Sequence, residues 1–126
     1  MKRIVKTNKA PQAIGPYSQG VIAGNFLFIS GQIAIDPDKN EMISGTIEEQ
    51  AEQVLKNIGA ILNEAGLTYD NVVKTTVYLT DLNDFGKMNE VYARFFKNNP
   101  PARAAIQVSK LPKGAKIEIE AIASLK

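Results

Sequence analysis

The residues from Thr46 to Gly66 restrict the fold more than any other stretch of the chain. Thr46-Ile47-Glu48-Glu49 is a capping box. The threonine hydroxyl can accept a backbone N–H of the first helical turn while the glutamate reaches back to the threonine N–H. Behind it Ile47, Ala51, Val54, Leu55, Ile58, Ile61, Leu62 and Ala65 recur at helical spacing, and Gly66 is a natural stop. A long helix with one apolar stripe must lie on something. The rest of the chain supplies strands: 3–6, then 20–23 and 26–32 around a Gly24-Asn25 turn, and the alternating runs 72–80 and 116–125. A further strand follows Pro100-Pro101, where two prolines stop whatever precedes them. A second amphipathic helix over about 83–97 is apolar at Phe85, Met88, Val91, Tyr92, Phe95 and Phe96. Stretches 8–20 and 36–45 read as loops.

Three strands, helix, strand, helix, two strands is an α+β order. Two helices with one apolar face each can cover only one side of such a sheet. The other side would carry Phe26, Phe28, Tyr78 and Ile122 mixed with Ser30, Arg103, Glu118 and Glu120. That face is too apolar for water and too charged for a core. A subunit interface enclosing a polar pocket reconciles both facts, so the pattern predicts a homo-oligomer.

Composition narrows the chemistry. The 126 residues suit one domain, 1–126, and include neither cysteine nor histidine. There is accordingly no thiol nucleophile, no disulfide framework, and none of the usual zinc ligands or neutral-pH bases. The net charge of +2 comes from scattered lysines with acids between them, which makes a nucleic-acid partner unexpected. No window approaches the ~20 apolar residues of a membrane span, and Met1 to Lys6 opens no signal peptide. A cytoplasmic protein is expected.

In the stretch Ala102 to Val108, alternation sets Ala104, Ile106 and Val108 on one face and Arg103, Ala105 and Gln107 on the other. The planar fork of Arg103 suits a carboxylate held two-pronged, although an interface arginine paired with a glutamate of the last strand is the plainer alternative. Glu118 and Glu120 share a strand face beside Ile122. Either is a solvated residue, or, inside a partly apolar interface, a base of raised pKa for a bound water; the residues alone leave that choice open. Tyr17 sits in a Gly-Pro loop where packing of the ring is the commoner role. Ser30, without a partner base, suits hydrogen bonding better than nucleophilic attack, and Gly31 would let backbone approach a ligand. Asn89 falls within the arc of Phe85, Tyr92 and Phe96, where an amide needs a partner: sheet backbone, a loop or a ligand.

Several stretches together carry a resemblance. These are Ala13-Ile14-Gly15-Pro16-Tyr17-Ser18-Gln19-Gly20, Ser30-Gly31-Gln32, Val73-Lys74-Thr75-Thr76-Val77-Tyr78-Leu79, Asp81-Leu82-Asn83-Asp84-Phe85 with Asn89-Glu90, Pro101-Ala102-Arg103, and Leu111-Pro112-Lys113 with Ile117 to Ala123. In this order they resemble the RidA group of the YjgF-like (Rid) family over nearly the whole chain. The resemblance implies a chorismate-mutase-like fold, a mixed sheet with two helices on one face, and a homotrimer with sites between subunits. It also implies cofactor- and metal-free hydrolysis of 2-imino acids such as 2-iminopropanoate and 2-iminobutanoate to 2-keto acids and ammonia. By the same resemblance Arg103 takes the substrate carboxylate and Glu118 handles the water. Tyr17, Ser30, Gly31, Asn89 and Ala105 line the pocket. Many relatives carry cysteine where this chain has Ala105, which leaves deamination intact but removes any thiol-based regulation. A non-catalytic small-carboxylate-binding trimer is the runner-up, and RNA cleavage ranks last because the chain offers no histidine pair and no basic groove.

Overall fold

The computed structural model describes residues 1–126. Strands β1 (Lys2–Val5), β2 (Gly20–Ala23) and β3 (Phe26–Gln32) are followed by a two-strand hairpin, β4 (Ile35–Asp36) and β5 (Glu41–Met42). Then come α1 (Ile47–Glu64), β6 (Val72–Leu79), α2 (Phe85–Phe95), β7 (Ala102–Gln107) and β8 (Ile117–Ser124). The main sheet runs β1-β2-β3-β8-β6-β7. Every neighbouring pair is antiparallel except β6 and β7, which are parallel because α2 carries the chain back across the sheet between them. The expected mixed sheet under two helices is the observed one.

The capping box forms as predicted: Thr46 Oγ1 accepts from Glu49 N at 3.2 Å and Glu49 Oε1 accepts from Thr46 N at 3.0 Å. The bonds to Thr46 hold the Glu49 carboxyl below its ordinary pKa. From there α1 buries Ile47, Ala51, Val54, Leu55, Ile58, Ile61 and Leu62. Against them lie Leu27 and Ile29 of β3, Val77 and Leu79 of β6, and Ile117, Ile119, Ala121 and Ala123 of β8 in one continuous core.

Several boundaries differ from the sequence reading. The first strand starts one residue earlier, and part of the 36–45 connection pairs as β4–β5. The second helix begins as a 3₁₀ turn at Leu82–Asp84, because the Asp81 carboxylate takes Asn83 N at 2.9 Å and tightens the entry. It stops at Phe95, ahead of Asn99 at φ 48°.

The uncovered side of the sheet is apolar, as expected: Phe26, Phe28 and Ile106 are 43, 44 and 45 % exposed. One assignment to that side is corrected. Arg103 pairs in register with Thr75, which is fully buried beneath α2, so Arg103 projects from the helix side of the sheet. Ile106, paired with Tyr78, faces the open side instead. Alternation located both faces of β7 but not which of them was the interior, because in this fold the outer face is apolar as well.

Candidate active site

The cleft on the open face is built by a bulge. Ile29 pairs with Ala121 and Gln32 with Ile119, so three steps along β3 match two along β8 and one residue is extra at Ser30-Gly31. The bulge brings the Gly31 backbone onto the Glu118 side chain so closely that a Cβ there would collide with the carboxylate. Loop 8–19 forms the facing wall and is tied down by a buried glutamine. Gln19 Nε2 donates to Thr7 O at 3.1 Å and Pro11 O at 2.7 Å, and its Oε1 accepts from Thr7 N at 2.8 Å. Ser30 Oγ donates to Ser18 O at 2.5 Å, joining the loop to the strand. The Ser30 hydroxyl proton is thus given to a backbone carbonyl rather than to a base.

The result is a cleft of about 680 Å³ in which Tyr17, Ser30, Gly31, Glu118 and Glu120 meet Pro11, Ile14, Ile33, Ile35 and Lys113. Glu118 is half-buried, and its pKa is raised, first by burial and then by the negative charge of Glu120 on the same strand face. Such a carboxylate is a stronger base than an exposed one. Glu120 is exposed and lies within 3.4 Å of the Tyr78 hydroxyl. No group of acidic side chains is arranged to hold a metal ion.

Gly31→Ala is expected to swing the Glu118 carboxylate out of the cleft, which a structure of the variant would record. Because the obstructed atoms end a flexible side chain, the fold should lose less than the ~1–3 kcal/mol of overpacking in a core. Denaturant unfolding checks that.

Arg103 lies elsewhere in the subunit. Its Nη1 donates to Asn89 Oδ1 at 2.7 Å, and the guanidinium carbon lies 5.2 Å from the Phe85 ring centre and 4.8 Å from that of Tyr92. All its partners are neutral; the ion pairs of the chain are Lys56–Glu52 and Arg94–Glu52, neither involving Arg103. Within one chain Arg103 therefore pairs with no glutamate of β8, and Asn89 makes no bond to sheet backbone. Ala105, half-buried and paired with Val77, completes this group on the helix side of β7.

The predicted residues thus separate into two clusters. Tyr17, Ser30, Gly31 and Glu118 line the cleft; Asn89, Arg103 and Ala105 sit at the β7 edge. Glu118 pairs with Tyr78 and Arg103 with Thr75, so the two charges are about 10 Å apart along the strands, about 10 Å across them, and on opposite faces. Reading the sequence missed the Gly31 bulge and the Gln19 tie. It also missed the contact of Phe85 and Tyr92 with Arg103, whose trace is their spacing with Asn89 along one helix face.

A six-stranded mixed sheet with two helices on one side and an acidic, bulge-lined cleft on the other defines an α+β protein of the YjgF/Rid type. The chain belongs to that family: the family model described as Endoribonuclease L-PSP matches residues 7–125. It is 55% identical over 123 residues to the human 2-iminobutanoate/2-iminopropanoate deaminase, covering 98% of this chain and 90% of that protein. A Rid-family protein from Yersinia pestis, 48% identical, superposes with a TM-score of 0.96 over 98% of this chain and 99% of its own. E. coli TdcF, solved with bound serine, is 46% identical with a TM-score of 0.93 over 97% and 98% of the two chains. The family and fold class read from the sequence are both borne out.

Proposed function

We propose that this chain is a 2-iminobutanoate/2-iminopropanoate deaminase, hydrolysing reactive 2-imino acids to 2-keto acids and ammonia. The observation that carries the reading is a guanidinium with no carboxylate of its own, held by neutral groups alone. An arginine so placed is a receptor for an external carboxylate. Its complement is Glu118, whose pKa is raised by its surroundings. Because the two stand on opposite faces of one sheet, the site is completed by a second copy: Arg103, Asn89 and Ala105 of one subunit meet Tyr17, Ser30, Gly31 and Glu118 of the next. A homotrimer, closed through the apolar open face, has three such sites.

In that site Arg103 grips the carboxylate next to the C=N bond. Glu118 takes a proton from water as its oxygen bonds to the imine carbon, the C=N electron pair moving onto the protonated nitrogen. Glu118 then returns the proton to the nitrogen of the carbinolamine. Ammonia departs as the hydroxyl oxygen closes to C=O and gives its proton to the Glu118 carboxylate, which passes it to solvent. Such acid–base assistance is typically worth ~10²–10⁴-fold, and positioning adds to it. Carbon, nitrogen and oxygen are all handled without a cofactor. The chain has no helix long and apolar enough to cross a membrane; a cytoplasmic location is part of the proposal. The family description names an endoribonuclease; without histidine, RNA cleavage lacks its usual acid–base pair, and any such activity that survives Arg103 and Glu118 substitution is a contaminant.

A serine dehydratase supplying 2-aminoacrylate provides the assay: the protein must accelerate pyruvate formation, and failure to do so removes the proposal in favour of a carboxylate-binding trimer. Co-assembly tests the division of the site. Arg103→Ala and Glu118→Gln subunits, each strongly impaired alone in kcat/KM, should regain roughly a quarter of wild-type kcat/KM in an equal mixture. Three in four trimers are then mixed, and each holds one intact site of three. No recovery would place both residues in a site within one subunit.

The pH profile follows from Glu118. As a base it must be deprotonated, so kcat/KM falls as pH drops through its raised pKa. Glu120→Gln removes the like charge, lowers that pKa, and should move the acid limb toward lower pH; an unmoved limb would assign it to another group.

A further inference from the structure

Arg103 is placed by more than its own strand. Phe85, Asn89 and Tyr92 stand at i, i+4 and i+7 on α2, so they fall within one narrow arc of the helix. Seven residues rise about 10.5 Å along a helix axis. A guanidinium 5.2 Å from one ring centre and 4.8 Å from the other fits that interval, with the Asn89 carbonyl one turn along at 2.7 Å. Tyr92 is itself fixed: its hydroxyl shares a 2.6 Å hydrogen bond with Thr75 Oγ1, both residues being buried. Thr75 is the residue of β6 in register with Arg103. The strand that pairs with the arginine's own and the helix that cradles it are therefore locked together at the residue beside it.

We propose that Phe85 and Tyr92 are positioning residues for substrate binding, acting as an aromatic cradle that sets the plane of Arg103 before the carboxylate arrives. This rests on the deaminase reading and extends it to residues outside the pocket. An exposed arginine otherwise samples many rotamers and loses that freedom when it binds. Here the two aromatic contacts and the single bond to Asn89 hold the cation while using one N–H, leaving four of its five donors free of protein partners at the rim. Because aromatic rings offer no competing negative charge, they hold the cation without neutralising it. A carboxylate in the place of either ring would orient Arg103 equally well and abolish its use.

The test compares Phe85→Leu and Tyr92→Leu with the wild type in the dehydratase-coupled assay and in titration with 2-oxobutanoate, the keto-acid product of 2-iminobutanoate, followed by calorimetry. Each variant is expected to raise KM and the 2-oxobutanoate Kd roughly 3–30-fold with kcat changed much less. The paired Thr75→Val, Tyr92→Phe change removes both buried hydroxyls but keeps the ring, and should recover most of the lost affinity. Phe85 is only half-buried, so its variant reports even if Tyr92→Leu does not fold. Unchanged KM and Kd in Phe85→Leu overturn the cradle, as does a loss confined to kcat. A wild type that neither turns over nor binds 2-oxobutanoate sinks the deaminase reading itself; an active wild type with unaffected variants sinks the cradle alone.

Discussion

Glu118→Gln should lower kcat/KM for 2-iminopropanoate by ~10²–10⁴-fold while the protein folds as well as before. The substitution keeps the shape of the side chain beside Gly31 and removes only its capacity to take a proton from water. The stability side of the prediction is equally informative. Burial and the charge of Glu120 both disfavour the ionised form of Glu118, so its carboxylate is a form its surroundings resist. A neutral amide relieves that, and Tm is expected to stay level or rise slightly. Steady-state kinetics beside a thermal melt checks both halves. A variant retaining more than a tenth of wild-type kcat/KM would move the water-handling role to Glu120, which shares the cleft.

Arg103→Ala should act chiefly on KM. A two-pronged bond to a carboxylate is worth about 1.5–3 kcal/mol, which corresponds to a loss of roughly 10–150-fold in kcat/KM. Arg103→Lys should recover little of it. An ammonium keeps the charge, but it cannot offer a planar pair of donors and would have to be rehoused against Asn89 and the two rings. Arg103 is exposed in the single subunit and has no ion-pair partner, so neither change should cost appreciable stability of the monomer fold. If Arg103→Ala turns over substrate with unaltered KM, the carboxylate is held elsewhere and the case for this site collapses.

How far each feature could be read in advance depended on the range of the interaction that produces it. The capping box of Thr46 and Glu49, the stripe of α1 and the limits of β2 and β3 depend on residues a few positions apart, and they stand where the periodicity put them. The entry to α2 was misjudged because Asp81 draws Asn83 N into a 3₁₀ turn ahead of the helix. Arg103 was assigned to the wrong side of the sheet for a different reason. Burying one face usually tells core from solvent, but here Ile106 and Phe28 make the uncovered face apolar too, and a period of two cannot rank two apolar faces. The Gly31 bulge is a mismatch of count between β3 and β8, strands separated by most of the chain, and neither strand alone records it.

By itself the sequence determined which residues this protein has to work with. It carries one fork-shaped cation after a double proline, two glutamates on one strand face, no imidazole and no thiol, and elements whose local signals are strong enough to survive any context. Only the tertiary structure decided where those groups point. Thr75 and Tyr92 meet under Arg103, and the bulge meets Glu118, through contacts between strands and helices far apart in the chain. It likewise decided that one chain holds the two charges on opposite faces of its sheet. Facing is set by which side of each strand the two helices happen to cover, a property of the packed whole that no single stretch contains.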